Sequence, residues 1–525
     1  MVVPELRPWR AARPRLARIA GAVRPRLARA ATAGRPRLAR LGRTVSAQVT
    51  RPKTWQYTAG AATAGLALAV GVVTAAGPWD SSGQRKAERD RAVAQEGTGG
   101  ADHGRSSGTA AKAPGPAPSA ASVLTGLGGA TGRVKSAPGT KALSTLLDPL
   151  LGVPALGARH SAAVVDVTTG KRLYGAGSGT ALTPASTTKI ATAAAALNAL
   201  GPDHRLTTRT ALEPDTKELV LVGGGDPTLT ARKDTEGLAS LRTLAEDTAA
   251  ALKKDGVREV TLSYDTTLYA GEELHPIGVN DNLARVSALM ADEARTDDST
   301  SGPVPRVAEP AAEAARTFAD LIEDHGITTT SPGPSKATAR AETLAEVSSP
   351  PLAALVERML TNSDNDIAEA LARHTALATG ERPDLTGAGR AIRAELGKLG
   401  LPVKGTEFKD GSGLNRDNRL TADLLTALLA QSGDPAHPEL RPILTGLPVA
   451  GFTGTLTSRY ADGAAGVVRA KTGTLTGVNA LAGTVVDQDG HLLAFAFLAT
   501  DTTNAAEAQS ALDKAATALA GCGCG

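Results

Sequence analysis

Leu481-Ala482-Gly483-Thr484-Val485-Val486, Asp487-Gln488-Asp489-Gly490 and Leu492-Leu493-Ala494-Phe495-Ala496-Phe497-Leu498 read as two apolar strands around a hairpin turn. Residues 503–520 follow as a last helix. Near the other end of the folded region, Ser161-Ala162-Ala163-Val164-Val165-Asp166-Val167 is strand-like and turns at Thr168-Thr169-Gly170 into Lys171-Arg172-Leu173-Tyr174. Thr183-Pro184 opens an Ala-rich helix that Gly201 stops after Leu200; Pro at the start and Gly past the end are expected there. Helices recur at 350–376 and 386–399. Strands at both ends with helices between predict an α+β fold, one antiparallel sheet covered by helices. Between the two halves, 205–340 mixes strand-like runs (Glu218–Val222, Glu259–Leu262) with helices near 237–255 and 309–325. That mixture predicts an inserted α/β subdomain dividing a domain made of 141–204 and 341–520, with 521–525 as a short tail.

Ahead of Lys141 the chain changes character. Residues 1–53 hold thirteen Arg and Lys53 against Glu5 alone, a net +13 that leaves −9 for the rest of the 525 residues. Basic charge confined to one tail on an acidic bulk argues against a chain-wide nucleic-acid binder. Arg-Pro-Arg-Leu-Ala-Arg recurs at 13–18, 24–29 and 35–40, and the Pro in each copy prevents one continuous helix. From Thr54 to Trp79 there is no charge over 26 residues. At about 1.5 Å per residue that helix would reach about 39 Å, enough for a hydrocarbon core of about 30 Å. Trp55, Tyr57 and Trp79 stand where interfacial aromatics belong. The expectation is a single-pass anchor in the lipid bilayer, with a cytoplasmic basic tail and everything after Asp80 outside. Cleavage near Ala75-Ala76 would instead make 54–79 a signal peptide and the protein secreted. Residues 80–140, rich in Gly, Ser, Ala and Pro, have too little apolar surface to offset ordering and read as a disordered linker. The only cysteines, Cys522 and Cys524, end the chain, which removes zinc ribbons and a disulfide framework from consideration.

Chemistry is written in three short motifs. Ser186-Thr187-Thr188-Lys189 lies at the start of the Ala-rich helix, where a spacing of three puts Ser186 and Lys189 on one face. A buried lysine that loses its proton can act as base for a serine hydroxyl. A helix N-terminus supplies N–H groups to a developing oxyanion. Ser363-Asp364-Asn365 precedes an amphipathic helix, and Lys471-Thr472-Gly473-Thr474 precedes the closing strand pair. Ser-x-x-Lys, Ser-x-Asn and Lys-Thr-Gly each occur once, in that order, the trio of penicillin-binding proteins and class A β-lactamases.

Over about 145–520 the sequence resembles a D-alanyl-D-alanine carboxypeptidase of the class C, low-molecular-mass penicillin-binding protein family. Gly223-Gly224-Gly225-Asp226-Pro227-Thr228-Leu229, the run from Ser363 to Leu371 and Asp410-Gly411-Ser412-Gly413-Leu414 are also similar to family segments. The resemblance implies a penicillin-binding protein/β-lactamase-like transpeptidase fold. It implies Ser186 as the acylated nucleophile, Lys189 as base, and Ser363 as proton relay to the leaving amine. Asn365 would hold the substrate amide, Lys471 would supply positive charge, and Thr472 and Thr474 would bind the terminal carboxylate. The Ser186 and Thr474 N–H groups would form the oxyanion hole, with Gly473 between the binding threonines. Implied partners are peptidoglycan stem peptides ending in D-Ala-D-Ala, with β-lactams as inhibitors; no cofactor and no metal are implied. Between Ser186 and Ser363 lie only 176 residues, room for one inserted domain or a trimmed pair where some members carry two. The balance of carboxypeptidase and endopeptidase action stays open.

Two rivals are weaker. A class A β-lactamase needs Glu-x-x-x-Asn soon after Ser-Asp-Asn, and neither Glu395 nor Glu407 has the Asn. A non-catalytic cell-wall-binding protein of the same fold is disfavoured by intact Ser186, Lys189, Ser363 and Lys471. The anchor carries its own test: protease added to intact spheroplasts should release a 141–520 fragment and leave a membrane-bound stump. Mature protein beginning near residue 77 in the medium would establish a signal peptide instead.

Overall fold

A computed structural model describes residues 137–523, apart from 331 and 461–462. The expected basic tail, membrane segment and most of the linker therefore lie outside the described residues. Among the described residues, no helix is long and apolar enough to cross a membrane.

The first sheet has five antiparallel strands: β1 (Arg159–Asp166), β2 (Arg172–Ala176), β9 (Val468–Leu475), β10 (Val478–Val486) and β11 (Leu492–Thr500), ordered β2-β1-β11-β10-β9. The hairpin closes as its sequence implies, with Asp487 N–H donating to His491 O and Gly490 at positive φ. Strand period divides the β11 side chains cleanly. Leu493, Phe495, Phe497 and Ala499 enter one core, shared with helices α1 (Thr140–Leu151) and α10 (Ala505–Ala520). Ala494, Ala496 and Leu498 enter the other. There the fully buried Ala-rich face of α2 (Thr188–Leu200) packs with α5 (Leu352–Asn362), α6 (Asn365–Ala378), α7 (Leu385–Lys398), α8 (Ala422–Gly433) and α9 (Pro442–Gly446). On this face of the sheet it is α8 that packs, against β1, β10 and β11, and in so close-packed an interior every methyl counts.

The second sheet belongs to the insertion. It contains β3 (Thr207–Leu212), β4 (Glu218–Val222), β5 (Glu259–Asp265), β6 (Thr328–Thr329), β7 (Gly333–Pro334) and β8 (Glu342–Ser348). Pairing is mixed: β4–β5 is parallel, whereas β3 pairs antiparallel with both β4 and β8. Helices α3 (Leu241–Lys254) and α4 (Pro310–Asp324) supply its own core with Leu219, Leu221, Val260 and Leu262. Entry and exit run side by side, Leu206 N–H donating to Ser349 Oγ and Ser349 N–H to Leu206 O.

Three sequence boundaries move. Residues 342–348 pair with β3, so the insertion runs to about residue 349 and not 340; this weakly apolar edge strand buries little of itself. The 350–376 helix is two helices broken at Ser363 and Asp364. In the expected tail, Cys522 is buried in the core with Leu519, because α10 delivers it there.

Gly483 of β10 faces the backbone of β9: a Cβ there would lie 2.0 Å from Arg469 O. Gly483→Ala should therefore push β9 outward and lower the thermal midpoint. A cost of about 1–3 kcal/mol from overpacking is roughly 1–4 °C at this size, readable by circular dichroism. An unchanged midpoint would mean that the two strands separate freely.

Candidate active site

The nucleophile candidate sits on a tight turn. Ala185–Thr187 form a single 3-10 turn leading into α2, so Ser186 stands just before the helix and not within it. The Thr187 and Thr188 hydroxyls donate back to Pro184 O and Ala185 O. Ala185 has φ of 48°, a sparsely populated conformation for a residue with a Cβ. Two glycines let other segments close on this turn. A Cβ on Gly413 would meet Ala185 O at 2.0 Å, and one on Gly473 would meet Pro184 O at 2.7 Å.

Lys189, one turn on, is completely buried. Its Nζ donates to Ser186 Oγ (3.2 Å), Asn365 Oδ1 (2.6 Å) and Ser412 O (2.7 Å). Burial lowers its pKa to about 8 against the opposing pull of Asp410, Asp364, Glu369 and Asp366. A fraction is thus neutral near pH 7 and able to take a proton, within hydrogen-bond reach of the serine.

Ser363 occupies the break between α5 and α6, with φ 60° and ψ 38°, left-handed values that a serine adopts at a cost. Asp364 caps α6 by accepting from Ile367 N–H. The break aims Ser363 Oγ at Lys471 Nζ, 2.8 Å away. Lys471 is also completely buried and donates to Thr472 O. Burial, then the neighbouring Lys189 and Arg459, hold its pKa well below the ordinary lysine value. It therefore lacks a counter-charge that an arriving carboxylate would supply. The Lys-Thr-Gly motif precedes the closing strand pair as expected, and lies itself on β9, a further strand of the same sheet. Thr472 Oγ1 bonds Thr455 Oγ1, Thr474 is exposed, and Gly473 is buried against the nucleophile turn. All eight expected site residues thus gather at one place. Of these, Ser186, Ser363, Asn365, Thr472 and Thr474 line a cavity of about 350 Å³.

Sequence reading missed what the insertion adds. Asn282, Arg295 and Arg306 from the segment after β5 line the same cavity. Asn365 Nδ2 donates to Asn282 O. Asp366 accepts from Ala284 N–H and from the Arg306 guanidinium. Asp410 gathers His275, Gly413 N–H, Asn415 N–H and Asn418. The Asp-Gly-Ser-Gly turn was a visible signal, but nothing local pairs Asp410 with a histidine 135 residues earlier.

Two buried groups have the atom spacing of metal sites, His275–Glu369–Asp410 and Glu293–Asp364–Asp366. In the first, the carboxylates are already engaged, Glu369 by Gly411 N–H, Ser412 N–H and Arg373. In the second, Arg295, Arg306 and Arg358 stand where a cation would. Burial, then Asp364, raises the Glu293 carboxyl above the ordinary carboxylate range.

A lysine-activated serine beside a Ser-x-Asn loop and a Lys-Thr-Gly strand, on a helix-covered antiparallel sheet, defines an active-site-serine hydrolase of the penicillin-binding type. The chain belongs to the D-Ala-D-Ala carboxypeptidase 3 (S13) family, whose profile matches residues 143–302 and 296–519. It is 36% identical over 403 residues to Carboxypeptidase DacB of Mycolicibacterium smegmatis, covering 74% of this chain and 86% of that one. It is 32% identical to a D-alanyl-D-alanine carboxypeptidase of Actinomadura sp., covering 66% and 79%. The fold is similar to penicillin binding protein 4 of Haemophilus influenzae: TM-score 0.59 at 21% identity, over 72% of this chain and 97% of that one. The protein is accordingly a serine-type D-Ala-D-Ala carboxypeptidase, a hydrolase.

Gly473→Ala tests the close approach of β9 to the turn. It should lower hydrolysis of a D-Ala-D-Ala peptide at least about tenfold, since a small misplacement of reacting groups is costly. The thermal midpoint should move by only a few degrees. Full activity would show that β9 need not touch the turn.

Proposed function

We propose that the protein trims the terminal D-Ala from peptidoglycan stem peptides through an acyl-enzyme on Ser186. The observation that carries this reading is the 3.2 Å contact between Ser186 Oγ and a completely buried Lys189 Nζ. Neutral Lys189 takes the Ser186 proton as Oγ attacks the penultimate carbonyl. The carbonyl oxygen gains charge facing the Ser186 and Thr474 N–H groups. Ser363, bonded to Lys471, passes a proton to the departing D-Ala amine. Lys471, Thr472 and Thr474 hold its carboxylate, and Asn365 holds the substrate amide. Water then releases the shortened peptide and restores Ser186. β-Lactams present a strained amide to the same serine, and the Haemophilus influenzae protein of this fold has been solved with a β-lactam. The 54–79 anchor and its lipid bilayer belong to the same reading, holding the enzyme outside the membrane near its polymer.

Mass spectrometry after benzylpenicillin should find the drug's mass on the peptide containing Ser186. Ser186→Ala should abolish labelling while the domain stays folded. Lys189→Arg should nearly abolish it, because a guanidinium does not give up its proton. Equal labelling of wild type and folded Ser186→Ala would overturn the assignment and favour a binding protein.

A further inference from the structure

The insertion touches the loop behind the catalytic base through one buried side chain. His275, 3% exposed, lies between β5 and the cavity-lining Asn282. Its Nδ1 is 3.2 Å from the Ile277 N–H, a donor, so Nδ1 accepts and Nε2 carries the proton of the neutral ring. Nε2 then donates to Asp410 Oδ2 at 3.1 Å. Among the described residues, the other donors to Asp410 come from its own loop: Ser412 Oγ, Gly413 N–H, Asn415 N–H and Asn418 Nδ2. That loop carries Ser412 O, which receives Lys189 Nζ at 2.7 Å.

We propose that His275 is a positioning residue for acyl transfer: its hydrogen bond to Asp410 ties the insertion to the loop that seats Lys189 and draws carboxylate charge away from that lysine. The inference rests on Lys189 being the base, as argued above. Asp410 from this loop, and Asp364, Glu369 and Asp366 from the start of α6, favour the protonated lysine; Lys471 on β9 opposes it. His275 itself faces Asp410 and Glu369. A donor on a carboxylate stabilises its charge locally. Without that donor, Asp410 pulls harder on the Lys189 proton, and the neutral base forms only at higher pH. The sign is definite: losing His275 moves the rising limb of the pH–acylation curve upward.

The test is the second-order rate of acylation by a fluorescent penicillin, measured on the full chain from about pH 6 to 10. His275→Ala should lower the neutral-pH rate about tenfold and move the limb up by about half a unit. His275→Gln keeps an N–H donor and should recover most of both. Asp410→Asn removes the charge while leaving one acceptor oxygen, and should move the limb down. A His275→Ala curve that superimposes on wild type, or is scaled evenly with its limb in place, overturns the proposal. Should His275→Ala not fold, the other two variants decide: the limb must stay for His275→Gln and fall for Asp410→Asn, and any other pattern overturns it. Labelling of Ser186→Ala in the same series would instead sink the underlying assignment, so the two failures are told apart.

Discussion

A single ammonium group organises this site. Lys189 Nζ is completely buried and has three oxygen neighbours from three segments: Ser186 on the turn before α2, Asn365 at the start of α6, and Ser412 in a glycine-rich loop. Burying an amine is costly unless its donors are used and its charge is compensated or lost. Here both happen in part. The donors are satisfied, and burial brings the group to about 8, where it exchanges its proton near physiological pH. The desolvation that would be a liability in a structural lysine is what makes this one a base.

The rest of the architecture can be understood as the means of bringing three chain segments to that nitrogen. Glycines 411, 413 and 473 let backbone meet backbone where any Cβ would collide. Glu369, rising from α6, fixes two N–H groups of the glycine loop while pairing with Arg373. Thr192 on α2 bonds Gly411 O from the other side. The insertion then closes over this framework. Its left-handed run Asp292–Glu293–Ala294 brings Glu293 against Asp364, and Arg306 spans Glu293 O and Asp366. The loop holding Ser363 and Asn365 is thus gripped from the insertion as well as from α5.

Where local physics decides the conformation, the sequence was readable. The hairpin at 487–490, the Ala-rich helix bounded by Pro184 and Gly201, and the last helix all follow from period and punctuation. The Ser–Lys pair was readable because a spacing of three keeps both residues on one side of a helical turn, although Ser186 sits on the 3-10 turn before α2 and not in the helix itself. Elsewhere tertiary contacts decide. β9 carries Lys471 fully buried in a strand, and a charged residue in a short mixed run gives no strand signal until the partner Ser363 is known. α8 lies at the centre of the main core, yet its buried residues fall all round the helix and leave no amphipathic period to read. β8 is recognised only by its pairing with β3. The contribution of the insertion to the cavity depends on contacts such as Asn282–Asn365, 83 residues apart, which no local pattern encodes.

The central claim is that burial turns Lys189 into a base that holds Asn365 and Ser412 in place. The most direct check is the Nζ resonance in protein labelled with ¹⁵N-lysine, assigned by its loss in Lys189→Arg and followed through a pH titration. The account predicts a midpoint near 8, moving when Asp410 is neutralised. A midpoint at the ordinary lysine value of about 10.4, in folded and active protein, would contradict it.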